Sequence, residues 1–214
     1  MPLIKRLGER MLGSPFGPGG ESGFKMRHVR RDLLEGTFIE RVESIESIED
    51  PFGQTQEFRR TEYRQTYFRI GTTTPAIELI NPLRTSRAFL ERLWEYSGGA
   101  IYIEPARARV SDWISKLETE IDNIVVISAR LSDLTLSNSV SARIELSGTS
   151  DIRRHISAFS KPHSITMDRA EFSCSLGGEN YHCEVTNEGK AVVHSGFSPK
   201  ALLILRASLS ATLT

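Results

Sequence analysis

The stretch from Phe172 to Val185 most narrows the folds open to this chain. Reflected about Gly178-Glu179, Leu176 faces Tyr181, Cys174 faces Cys183 and Phe172 faces Val185. All six are apolar and, at a side-chain period of two, share one face. Gly178 suits the first central position of a type II′ turn, where φ is positive. The symmetry predicts an antiparallel hairpin with one buried face. A turn at Asn187-Glu188-Gly189 returns the chain through Ala191 to His194 as a third strand. Ser198 and Pro199 then open a helix through Leu202, Leu205 and Leu209.

Upstream, strand and helix patterns alternate with turn signals. Residues 37 to 48 and 57 to 70 read as an antiparallel pair around the turn Asp50-Pro51-Phe52-Gly53. Glu40, Glu43 and Glu46 would then oppose arginines, at about 0.2–1 kcal/mol per pair. Ile39, Val42, Ile45 and Ile48 recur every third residue, a period that fits neither helix nor strand. Strands are expected over 76–80, 100–104, 123–131 and 138–147. Helices are expected from Thr85 or Ser86 to Tyr96, from Ser111 to Glu120, and after Thr149 or Ser150 with Ile152, Ile156 and Phe159 apolar. Ser147-Gly148-Thr149-Ser150 and Ser195-Gly196-Phe197-Ser198 both close a strand and open a helix, which reads as one capping solution used twice, the alternative being a duplicated hairpin-plus-helix unit. The pattern defines an α+β fold with largely antiparallel sheet, about five helices, and a C-terminal meander followed by a helix.

The N-terminus carries Leu3, Ile4, Leu7 and Met11 at helical spacing opposite Lys5, Arg6 and Arg10. GSPFGPGGESG, residues 13 to 23, reads as a linker. A short amphipathic helix cannot bury its apolar face locally, so it must dock on its own domain, on a partner or on a membrane surface. The expected organisation is helix and linker over 1–23 and one α+β domain over 24–214, with candidate sub-units 24–121 and 122–214.

The 214 residues balance 27 acidic against 27 basic side chains, so there is no overall pull toward nucleic acid or anionic membrane. The longest apolar run, Ala201 to Leu205, is too short for a transmembrane segment. The first residues lack the apolar core of an export signal, and there are only two cysteines. A reducing cytoplasm is the expected compartment.

No phosphate loop, zinc-ligand spacing or nucleophile elbow is present in the sequence, and no cofactor is called for. Cys174 and Cys183 read as small buried apolar residues, and His182 and His194 as neighbours on the opposite face. The stretch Glu57 to Ile70, EFRRTEYRQTYFRI, interleaves arginine with aromatic rings. As a strand, one face shows Arg59, Thr61, Tyr63, Gln65, Tyr67 and Arg69, with no aliphatic residue. Such a face suits a solvated strand, a protein interface, or a base-stacking platform helped by the basic cluster Lys25, Arg27, Arg30 and Arg31. The leading expectation is a non-enzymatic subunit or adaptor that associates with a protein partner or with itself. The alternative is a nucleic-acid-binding protein that uses the Arg/Tyr face.

Overall fold

A computed structural model describes residues 3–73, 75–82, 84–137, 140–160, 165–194 and 198–213, apart from the side chains of 136, 137, 159 and 160. The expected α+β class is the one observed, with five helices and two antiparallel sheets among these residues. The chain divides into two compact units, Met1–Ile103 and Glu104–Thr214.

The first unit comprises α1 (Leu3–Leu12), β1 (Ser22–Val29), β2 (Leu33–Glu49), β3 (Thr55–Gly71), β4 (Ile77–Ile80) and α2 (Arg87–Ser97). Its strands pair in chain order. One face buries Phe24, Leu34, Phe38, Phe68 and Ile70 against Ile4, Leu7 and Met11 of α1 and Phe89 and Leu93 of α2. Phe68 stacks on Phe89 at 4.9 Å between ring centroids, and Phe24 meets Phe38 at 5.2 Å. The N-terminal helix thus docks on its own core. Only Leu3 of its four named apolar residues is exposed. Residues 14–16 run beside β1, with Phe24 N–H donating to Ser14 O at 3.0 Å and Phe16 N–H to Phe24 O at 3.2 Å. Gly23 makes this approach sterically feasible, since a Cβ there would lie 2.6 Å from Phe16 backbone.

The second unit comprises α3 (Val110–Leu117), β5 (Asp122–Ser137), β6 (Val140–Ser147), α4 (Arg153–Ser160), β7 (Thr166–Leu176), β8 (Glu179–Thr186), β9 (Ala191–Val193) and α5 (Pro199–Ser210). Its sheet runs β6-β5-β7-β8-β9. Trp113, Ile114 and Leu117 of α3, Ile152 and Ile156 beside and in α4, and Leu205 and Leu209 of α5 share a core with Val126, Phe172 and Val185. Trp113 Nε1–H donates to Ser208 Oγ at 2.9 Å in that core. Ser198 caps α5, its Oγ accepting from Ala201 N–H at 3.2 Å. The capping parallel expected at 195–197 and His163 lie outside the described residues.

Three local expectations change. The β7–β8 turn is Gly177-Gly178, both at positive φ, 63° and 86°, as a type I′ turn requires. Leu176 therefore pairs with Glu179, Cys174 with Tyr181 and Phe172 with Cys183, two residues from the mirror register. A shift of two leaves every side chain on its face, so the apolar pattern could not separate the registers. Residues 100–107 form no ladder strand. Ile101 and Ile103 meet their alternation by packing partly against the first core rather than by pairing. The cap before α4 is Asp151, whose Oδ1 accepts from Arg153 N–H at 3.0 Å, rather than Thr149 or Ser150.

Candidate functional site

The expected pairing of the Arg/aromatic stretch with the Glu-rich segment is observed, and it is longer than expected. β2 and β3 pair without interruption from Leu33↔Gly71 to Glu49↔Thr55. The β1 ladder ends at Ser22↔Glu40, and the β4 ladder begins at Tyr67↔Ile80. Between Arg41↔Tyr63 and Glu49↔Thr55 neither strand has a further ladder partner among the described residues. At ~3.3 Å per residue this two-stranded arm extends about 30 Å beyond the wider part of the sheet. Its tip is closed by Asp50, whose Oδ1 accepts from Phe52 N–H and Gln54 N–H, both at 2.8 Å, with Gly53 at φ 83°.

The arm explains the three-residue apolar period. Ile39 pairs with Gly23 in the wider sheet, and on the ribbon beyond it that period puts Ile45 on one face and Val42 and Ile48 on the other. Near the tip Phe52 is 90% exposed, Ile45 64%, Ile48 58% and Phe58 49%. Isolated exposed apolar residues are ordinary, but here four lie on one thin element. The sequence carried this signal in the irregular period, but the surrounding glutamates masked it.

Arg59, Tyr63, Tyr67 and Arg69 do share the face opposite the core, as alternation requires. They are not equally available. Arg69 Nε lies 3.3 Å from Glu35, the residue opposite it. Tyr63 meets Phe16 edge-on at 5.9 Å, where Phe16, Gly17, Pro18, Gly19, Gly20 and Arg41 line a shallow cleft. Arg59 lies opposite Ile45 rather than a glutamate and forms no ion pair among the described residues. The anticipated Glu–Arg pairs are Glu40 with Arg64 at 3.9 Å, directly opposite, and Glu46 with Arg60 at 2.9 Å, diagonally.

Of the basic cluster, Lys25 shares a row with Thr37, Tyr67 and Ile80. Arg27 sits in the bulge between Met26 and His28, and Arg30 and Arg31 lie in the β1–β2 connection. The next row is His28, Glu35, Arg69 and Glu78. Basic and acidic groups therefore alternate on this face.

In the second unit, the face opposite the helices carries a charged network. Arg169 binds Glu171 and, at 2.8 Å, Glu184; Lys190 lies 3.8 Å from Glu184. His182 is 3.9 Å from Glu171, with its ring 5.2 Å from that of His194. The two histidines are neighbours as expected, but no group of three metal-ligating side chains converges among the described residues. Cys174 and Cys183, diagonal across the hairpin, are both free and buried. Their mutual hydrogen bond holds the Cys174 thiol below its usual range and, with burial, pushes Cys183 up.

No described helix is long and apolar enough to cross a membrane. No protein-family model matches the chain, and no curated protein is similar to it.

Proposed function

We propose that the protein is a non-enzymatic interaction subunit that works by protein association through the β2–β3 arm. The observation that carries this reading is the exposure of Ile45, Ile48, Phe52 and Phe58 on a two-stranded element that packs on no core. Aromatic and arginine side chains are the usual anchors of protein interfaces, and Phe52 and Phe58 are of that kind. Unpaired strand edges add main-chain hydrogen bonding to a partner.

The nucleic-acid reading rests on Tyr63 and Tyr67, exposed on one face with Lys25 in the Tyr67 row. Glu35, Glu43 and Glu78 on that face weaken its attraction for phosphate.

A photo-crosslinking residue at position 52, and separately at 63, distinguishes the readings in the cells that make the protein. Protease-sensitive adducts at 52 are expected. Nuclease-sensitive adducts at 63, with none at 52, would favour the second reading.

A further inference from the structure

The arm has a property that exposed apolar residues alone do not confer: its β3 edge is complementary to itself. Hydrogen bonding across an antiparallel pair alternates along each strand. Asp50 N–H donates to Gln54 O at 2.8 Å, so the even-numbered residues of the arm bond across it. Arg41 N–H instead donates outward to Glu21 at 2.7 Å, and Gly71 N–H outward to Ala76 at 2.9 Å. By the same phase, the N–H and C=O groups of Glu57, Arg59, Thr61, Tyr63 and Gln65 point away from β2. Among the described residues no strand pairs with them until Tyr67 meets Ile80 of β4. An open edge of this length is a template for another strand.

The side chains restrict which strand can use it. Two identical antiparallel strands related by a two-fold axis must have that axis at a residue, because opposed side chains share a face. Centred on Arg59 or Arg60, the pairing sets arginine on arginine; centred on Glu62, it sets glutamate on glutamate. Centred on Thr61, it sets Arg60 on Glu62 twice, Arg59 on Tyr63 twice, Phe58 on Arg64 twice and Glu57 on Gln65 twice. No like charges are opposed, and arginine meets aromatic rings in position for cation–π contact. This register uses the free strip up to Gln65, the last residue on the edge before the β4 ladder, so Thr55 and the tip of each arm must turn away from Ile80 of the other copy. Centring on Phe58 or on Tyr63 is free of like-charge opposition too, but the first leaves Tyr63 and Gln65 unpaired, and the second sets Arg59 and Glu57 against Tyr67 and Arg69, which β4 already pairs. The β2 edge is a poorer choice, since Glu43, Glu46 and Glu49 outnumber Arg41 and two copies would repel.

The geometry points to a second copy of this chain as the occupant of the β3 edge. The two arms would join through Thr61 into one four-stranded antiparallel sheet, β2-β3-β3-β2. The inference rests on the association reading and names the partner. Arg60 and Arg64, which meet Glu46 and Glu40 within the arm, would then also face Glu62 and Phe58 of the other copy.

Sedimentation of the full chain tests it, with folding checked by circular dichroism. The wild type is expected to sediment at twice the chain mass. Thr61→Pro removes an outward N–H without touching the β2 ladder and is expected to give monomer. Arg60→Glu and Glu62→Arg are each expected to give monomer, and the Arg60→Glu/Glu62→Arg double variant to regain the dimer. A wild type that is monomeric at every concentration overturns the inference. So does a dimer that survives Thr61→Pro, or single-variant losses that the double variant fails to restore. The association reading survives those results if position 52 still crosslinks to another protein, and falls if it crosslinks to none.

Discussion

Arg153 shows how one side chain can tie three elements together. Its guanidinium reaches Asp151 before α4, Glu118 after α3, and the Ile124 carbonyl of β5 at 3.1 Å. The Arg153 hydrogen bonds hold the Asp151 carboxyl below its usual range. A folded-state pKa below the unfolded one stabilises the fold above the unfolded value, near ~3.9, and that stability is lost as pH falls through the folded value. Acid titration followed by tryptophan fluorescence is therefore expected to show a loss of second-unit stability below about pH 4. Asp151→Asn should flatten that slope and lower stability at neutral pH. In the first unit, Phe68 is 2% exposed between Phe24 and Phe89. Phe68→Ala is expected to cost about 3–5 kcal/mol in denaturant unfolding. Gly23→Ala forces a Cβ against the Phe16 backbone and should release residues 13–20 from β1, read as faster proteolysis there. None of these three roles was legible in the sequence. Each depends on a partner brought close only by the fold.

At the scale of elements, the arm and the β7–β8 hairpin show what patterning can and cannot specify. Alternation placed Phe172, Cys174, Tyr181, Cys183 and Val185 on one buried face, and they are buried together. The register was set instead by turn geometry: adjacent Gly177 and Gly178 supply both positive-φ positions of a type I′ turn, whereas the mirror pattern fits either register. For the arm, the paired segments were visible, but their projection beyond β1 and β4 depends on where those neighbours stop. Every core residue of the first unit lies outside 41–63. Replacing 41–63 by Asn-Gly would join the hydrogen-bonded pair Glu40 and Arg64 through a two-residue turn. The shortened chain is expected to fold, with its thermal midpoint within a few degrees of wild type, and to lose self-association in sedimentation. Unfolding of the shortened chain would mean that the arm also supports the sheet.

At the scale of the whole molecule, each of the two units has its own sheet, helices and buried cluster. Separate chains covering 1–103 and 104–214 are each expected to melt cooperatively, because each holds a core of the kind an independent domain needs. A fragment without a cooperative transition would show that its core is insufficient alone. The sequence by itself determined the α+β class, the antiparallel hairpins, the C-terminal meander and helix, and the amphipathic face of α1. These follow from periodicity, turn residues and caps, which act over a few neighbouring positions. Tertiary structure alone decided that α1 covers its own sheet, that Arg69 faces Glu35, and that 100–107 is not a strand. It also decided that the arm extends unaccompanied from the sheet. Those outcomes depend on which surfaces meet across long stretches of chain, and a local pattern of apolar and charged residues is compatible with more than one such meeting.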